Sequence, residues 1–294
     1  MTLRPGDPRP VLKWAGGKRQ LLPEILLRLP PRAETYYEPF VGGGAVFFAL
    51  AARGAFRRAV LSDTNSELIN VYRALKEDVA GVIRALEKLR DGHSTEQYYR
   101  VRARVPKSET ARAARVIYLN RTGFNGLYRV NSKGEFNVPI GRYVRPRIVD
   151  EKRLRAAAEA LSVAEIVLED FERVSARARR GDAVYFDPPY LPVSRTASFA
   201  EYQSTPFGFS EHERLARVFT RLASRGVACV LSNSDTPEAR ELFGAHRVET
   251  VSAKRAINSV ASRRGAVGEL LVSAAAAHST PERRRTAAAR RPCG

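Results

Sequence analysis

Five short apolar runs set the strongest limit on what this chain can fold into. They are "YYEPFV" (36–41), "AVLS" (59–62), "AEIVLE" (164–169), "AVYF" (183–186) and "VACVLS" (227–232). Unbroken runs of this length, rich in Val, Tyr and Phe, fit strands buried on both faces of a parallel sheet. Helical patterns separate them, and strands alternating with helices predict a doubly wound α/β sheet. Several of the runs lead into a polar residue: Asp63, Asp170, Asp187 and Asn233. Ligands of open α/β sheets bind outside the carboxyl ends of the strands, so these four positions are expected to face one crevice.

The stretch 78–149 breaks the alternation. Its clearest helix is "SETARAARVIYLNR", with Ser108 as N-cap. A hairpin follows in "LYRVN-SKG-EFNVP", whose three-residue turn carries Gly134. From Tyr98 to Val149 there are twelve Lys/Arg against two Glu, within a chain whose net charge is +19. Such a block either meets a polyanion or reflects an Arg-rich composition spread over a solvated face. The expected organisation is an α/β core from 1–77 and 150–274, a basic helix-plus-hairpin insertion at 78–149, and a disordered Arg- and Ala-rich tail at 275–294.

Other classes fall away on composition. The chain has 294 residues, 44% hydrophobic and 28% charged, enough for one large domain or one domain with an insertion. The N-terminal ten residues have no apolar core, and the longest uncharged run, Pro39 to Ala52, falls short of the ~20 apolar residues of a membrane span. A cytoplasmic protein that spans no membrane is therefore expected. Cys229 and Cys293 support neither a disulfide framework nor a thiolate metal site, and the four His have no metal-ligand spacing, so no metal is expected.

Two glycine-rich stretches need separate treatment. In "LKWAGGKRQLLPEI" a phosphate loop ending at Lys18 would need Gly at 12 and Ser or Thr at 19, but Leu12 and Arg19 stand there. In "YYEPFVGGGAVFFAL" a strand meets Gly42-Gly43-Gly44 and then an apolar helix; this is either a ligand-approach turn or a plain connection. Phe47 occupies the last Gly position of a dinucleotide fingerprint, so a pyrophosphate is not favoured. Asp63, ending the next strand, either accepts bonds from ribose hydroxyls or caps the helix of "TNSELINVYRAL". Glu38 can pair with an ammonium group, which S-adenosylmethionine (AdoMet) carries and NAD lacks.

The stretch "AVYFDPPYLP" carries the chemistry. A buried strand ends in Asp187, Pro188 and Pro189 stiffen the backbone, and Tyr190 stands just beyond. An aromatic exocyclic amine is a poor nucleophile because its lone pair is delocalised. A carboxylate and a carbonyl that accept its N–H bonds favour the pyramidal form and aim the lone pair at a methyl donor. Asp187 and the Pro188 carbonyl can supply these acceptors, and Tyr190 can stack on a base taken out of the duplex.

The set "KWAGGK", "EPFVGGG", "LSDTNSELI", "NRTGFNGLYRVNSKGEFNVPIGRY", "FDPPY" and "LSNSDT", in this order, closely resembles the Dam family of DNA adenine methyltransferases from about Val11 to Val272. The resemblance implies a Rossmann-like AdoMet-dependent methyltransferase fold with a mixed sheet, the cofactor motif preceding a target-recognition insertion and D-P-P-Y following it. It implies AdoMet held by Trp14, Lys18, Asp63 and Asp187, with Glu38, Gly42 and Gly44 lining the pocket and Phe171 flanking the cofactor adenine. It implies base-edge contacts from Lys13, Leu127, Arg129 and Pro139, and Phe124 with Asn125 near an extruded adenine. Duplex DNA is the implied partner, GATC the family's usual target, and a nucleoid-associated monomer the expected state. Thr122 and Phe124 depart from the family pattern, which more often has an aromatic residue and Tyr at these positions, and the basic tail lies outside that pattern. Two other readings are an RNA adenine or protein glutamine methyltransferase, and an inactive DNA-binding relative.

Overall fold

The computed structural model describes residues 4, 6–14, 16, 18, 20–192, 207–254 and 266–274; the expected disordered tail at 275–294 lies outside them. The chain runs α1 (Leu22–Arg28), β1 (Ala33–Glu38), α2 (Ala45–Ala51), β2 (Phe56–Asp63), α3 (Ser66–Asp91), α4 (Thr95–Ala103) and α5 (Glu109–Thr122). After the hairpin segment come α6 (Glu151–Leu161), β3 (Ala164–Leu168), α7 (Val174–Arg177) and β4 (Ala183–Phe186). The described chain closes with α8 (Phe209–Ser224), β5 (Ala228–Ser234), α9 (Pro237–Phe243), β6 (Arg247–Lys254) and β7 (Ala266–Ala274).

The five apolar runs each form a strand, and the seven-stranded sheet has the order β3-β2-β1-β4-β5-β7-β6. The first five strands are parallel, whereas β7 runs antiparallel to both β5 and β6. Burial explains why the runs are continuous. Tyr36, Leu61, Tyr185 and Val230 enter one core with Ile25, Phe47 and Tyr118, while their neighbours Tyr37, Val60, Val184 and Leu231 enter a second core with Phe219 and Phe243. Successive strand residues point to opposite faces, so a strand covered on both sides is apolar throughout. Strand β6, at one sheet edge, and β7 beside it have no such run among the five, and β6 mixes polar with apolar residues in "RVETVSAK".

The sheet is α/β, doubly wound and mixed. Its chain path steps outward from β1 to β2 to β3, then returns to place β4 beside β1. That reversal is a topological switch point, where adjacent strands feed loops to opposite faces and leave a crevice at their carboxyl ends. Glu38 and the residue after Phe186, Asp187, therefore end neighbouring strands.

Between β2 and β3 the chain is helical. Ser108 caps α5 by accepting from the Ala111 amide. In α3, Asp78 is non-helical (φ −145°, ψ 65°), and its carboxylate accepts from the Gly81 amide, restarting the helix. Val82, Leu86, Tyr98 and Tyr118 from this stretch join the first sheet core. The hairpin is held by isolated bridges, Val130 to Phe136 and Gly123 to Ile140, instead of a regular ladder. Its turn residue Gly134 has φ +77°, and the Asn131 carboxamide accepts from the Lys133 and Glu135 amides.

Candidate active site

A cavity of about 690 Å³ opens at the switch point. It is lined by Trp14, Lys18, Glu38, Gly42, Gly44, Asp63, Phe171, Asp187, Pro188, Pro189 and Tyr190, with Asp170, Phe40 and Phe207. The first eleven are all the residues expected at the cofactor and the reacting centre, so residues spread from 14 to 190 meet in one space. The fourth polar strand end behaves differently: Asn233 is fully buried inside β5, and its carboxamide accepts from the Leu191 amide at 3.0 Å. It ties down the segment after Tyr190 and does not line the crevice.

The glycine turn is shaped by its backbone. Gly42 and Gly44 have φ +44° and +68°, values that side chains disfavour, and a Cβ on Gly42 would lie 2.8 Å from the Trp14 indole. Trp14 thus packs on the turn from one side and stacks on Tyr128 at 5.3 Å. The Asp63 carboxylate accepts from the Gly42 amide at 3.2 Å and from the Asn65 amide at 3.0 Å. Asn65 is the N-cap of α3, bonding the Glu67 and Leu68 amides. Of the two roles open to Asp63, capping therefore goes to Asn65, whose carboxamide reaches the first turn.

Glu38 is buried beneath this turn at 2% exposure. One carboxylate oxygen accepts from the Tyr36 hydroxyl at 2.8 Å and the Phe47 amide at 2.9 Å. Burial pushes its pKa up to about 8; the Tyr36 bond opposes this and the charge of Asp187 adds to it. Such a carboxyl gains strongly from a cation entering the cavity.

Asp187 is anchored by one oxygen. Its Oδ1 receives the Lys18 ammonium at 2.7 Å and the Ser232 hydroxyl at 3.1 Å. Since Ser232 gives its proton to Asp187, the hydroxyl of buried Tyr185, 2.8 Å away, is the donor to Ser232. Both contacts fall on Oδ1, leaving Oδ2 as the acceptor for a bound group. Burial raises the Asp187 pKa above the ordinary carboxylate value; Lys18 and Ser232 oppose the rise, and Glu269 adds to it. The loop is fixed on two more sides, because His212 Nε2 lies 3.1 Å from the Pro189 carbonyl and the Tyr190 hydroxyl donates to Glu269 at 2.9 Å.

At the far end of the cavity Phe171 is buried, stacked on Phe40 at 5.2 Å and covered by the Arg214 guanidinium at 4.2 Å. Arg214 also makes two 2.8 Å bonds to Asp170. Burial works to raise the Asp170 pKa, but Arg214 and the Glu172 amide bring it below the usual value.

The expected DNA-contact residues form a separate, exposed group. Lys13, Phe124, Asn125, Arg129 and Pro139 are exposed and Leu127 is half-buried. The Phe124 amide donates to the Pro139 carbonyl at 2.9 Å, and the Lys13 stem crosses Gly126, where a Cβ would lie 2.4 Å from it. Asn125 holds φ +54°, and Arg129 bonds the Asn137 side chain at 2.8 Å. Buried Asn120 ties the N-terminal segment to this surface, accepting from the Lys13 amide and donating to the Lys13 carbonyl, both at 2.8 Å, and donating to the Gly126 carbonyl at 2.7 Å. Sequence reasoning had not singled out Asn120, Ser232 or Glu269. A polar side chain inside an apolar helix or strand, as in "IYLNR" and "VLSNS", is the signal that marks the first two.

Among the described residues no cluster of His, Cys, Asp and Glu could hold a metal ion, and no helix is long and apolar enough to cross a membrane.

A family model for the D12 class N6 adenine-specific DNA methyltransferases matches residues 14–257. The chain is 43% identical to the type II methyltransferase M1.LlaDCHI of Lactococcus lactis subsp. cremoris, over 90% of this chain and 95% of that one. It is 40% identical to the type II methyltransferase M.MjaIII of Methanocaldococcus jannaschii, over 90% and 98% of the two chains. It is 39% identical to the DNA adenine methylase of Escherichia coli K12, over 90% and 94%. With its matched span covering the glycine turn, the basic segment and D-P-P-Y together, this chain belongs to the D12 class of N6 adenine-specific DNA methyltransferases.

Proposed function

We propose that this enzyme moves the methyl group of AdoMet to N6 of an adenine flipped out of duplex DNA, within GATC. The observation that carries the reading is that Asp187, anchored through Oδ1, opens onto the same cavity as Glu38, Asp63 and the glycine turn.

The donor set fits AdoMet. Buried Glu38 suits an ammonium group, Asp63 suits a ribose diol, Asp170 suits an adenine amine, and Trp14, Phe40 and Phe171 supply apolar walls. The volume falls in the ordinary range for such ligands. When bound, the cofactor supplies an electrophilic methyl on a sulfonium.

The chain's own residues prepare the acceptor. Oδ2 of Asp187 and the Pro188 carbonyl accept the two N–H bonds of the adenine amine, withdrawing its lone pair from the ring and directing it into the cavity. Lys18 keeps Asp187 ionised against the burial that raises its pKa. Tyr190 holds one face of the base, which must leave the stack for its amine to reach Asp187. Phe124 fills space near the site it leaves, Arg129 reads guanine through its guanidinium, and Lys13, Leu127 and Pro139 complete the base-edge surface.

Incubation with methyl-labelled AdoMet and matched duplexes tests the reading. Label is expected in adenine of the GATC duplex, with none from Asp187→Ala. Equal label in a duplex lacking GATC overturns the site, and label in RNA or protein alone overturns the substrate.

A further inference from the structure

D-P-P-Y is held from behind by groups on β5, α8 and β7, and one of these contacts has no evident packing purpose. Glu269 stands on β7, paired across the ladder with Ser234 of β5. Its Oε2 accepts the Tyr190 hydroxyl at 2.9 Å. Among the described residues no ion pair offsets its charge, and that charge pushes up the carboxyl pKa of neighbouring Asp187. A second carboxylate beside an acceptor that must be ionised, in a cleft that receives a polyanion, is electrostatically unfavourable. The bond to Tyr190 is the contact that offsets this.

We infer that Glu269 is a positioning residue that acts through Tyr190, fixing where the ring against which the target base lies is held. The Tyr190 hydroxyl donates to the Glu269 carboxylate over 2.9 Å, an ordinary O–H···O distance. Tyr190 is attached at one end to the stiff Pro188-Pro189 backbone and at the other to Glu269 on a sheet strand. Held at both ends, the ring keeps one position and axis before the base arrives, so binding orders fewer side-chain torsions. The Lys18 ammonium sits 4.6 Å from the centre of the same ring, so a tilt of Tyr190 also disturbs the cation that serves Asp187. This inference rests on the reading of Tyr190 as the base-stacking residue.

A double-mutant cycle on the full chain separates the two. Tyr190→Ala comes first: undiminished kcat and KM for DNA would remove the underlying reading. If Tyr190→Ala is impaired, Glu269→Ala is expected to lose about tenfold in kcat/KM for DNA with AdoMet affinity unchanged. Glu269→Gln, which keeps the acceptor, should recover to within about twofold. In the Tyr190→Phe background, which lacks the hydroxyl, Glu269→Ala should cost nothing further. The same loss in both backgrounds would overturn the inference. So would a Gln variant as impaired as Ala, since charge or strand stability would then be the cause. If Glu269→Ala does not fold, Glu269→Gln and Tyr190→Phe still decide: Glu269→Gln should stay within about twofold of wild type and Tyr190→Phe should lose about tenfold in kcat/KM for DNA, and full activity of Tyr190→Phe overturns the inference.

Discussion

The crevice and the hairpin surface are built on opposite terms. At the crevice, Glu38, Asp63 and Asp187 sit on strand ends, are buried or half-buried, and have pKa values raised mainly by burial. At the hairpin, Phe124, Asn125, Arg129 and Pro139 are exposed, and two bridges with a few side-chain bonds hold them. The sheet fixes the crevice in advance, while the hairpin surface has few neighbours to hold it. Damage to one should therefore leave the other's function standing.

The largest effect is expected at Asp187. Asp187→Ala should cost about 10²–10³-fold or more in kcat, with DNA affinity changed only slightly, as gel shifts and single-turnover kinetics will read. Equal losses in DNA binding would break the separation. Lys18→Ala should weaken AdoMet by about 1.5–3 kcal/mol in calorimetry. It should also move the acid limb of the rate profile upward in pH, because Lys18 lowers the Asp187 pKa and its loss lets that pKa rise further. Unchanged pH dependence would detach Lys18 from Asp187.

On the other surface, Arg129→Ala should lose about 1–3 kcal/mol of discrimination between GATC and near-cognate duplexes, with kcat on saturating DNA retained. A lost kcat would place the hairpin within the chemical machinery. Asn120→Ala tests a direct tie between the regions, since it holds Lys13, next to Trp14, against Gly126. Both AdoMet affinity and discrimination should weaken together.

The smallest effect concerns stability. The folded pKa of Glu38, about 8, exceeds its ordinary 4.5. The folded state then holds a proton that the unfolded state releases, so this group's contribution is complete below about pH 4.5 and is lost as pH rises through about 8. Glu38→Gln should lack that loss, so the melting temperature of the ligand-free variant falls less between about pH 5 and pH 8. AdoMet binding to the wild type should release a proton as Glu38 ionises, measurable in buffers of different ionisation enthalpy. A fall as large in the variant as in the wild type would contradict the assignment.

The same contrast governs what the sequence reveals. Parallel strands covered on both faces read as unbroken apolar runs, so β1 to β5 and the carboxylates at their ends are legible, as is the Gly42 turn. β6, at the sheet edge, dilutes that signal with polar residues, and β7 pairs beside it. Asn65 against Asp63 was not decidable from spacing, because both stand near the start of α3 and only the side-chain reach selects the cap. Asn233 has the look of another crevice residue, yet its direction is set by the Leu191 amide, a partner 42 residues away. Ser232, Asn120 and Glu269 act through contacts between distant segments; a polar residue in an apolar run marks the first two, but no local pattern names the partners.

One measurement tests the central claim most directly: expression in a host without DNA methylation, followed by genome-wide mapping of modified bases. N6-methyladenine at GATC, absent with Asp187→Ala, is the predicted result. Methylation at adenines in other sequences, or on another base, would contradict it.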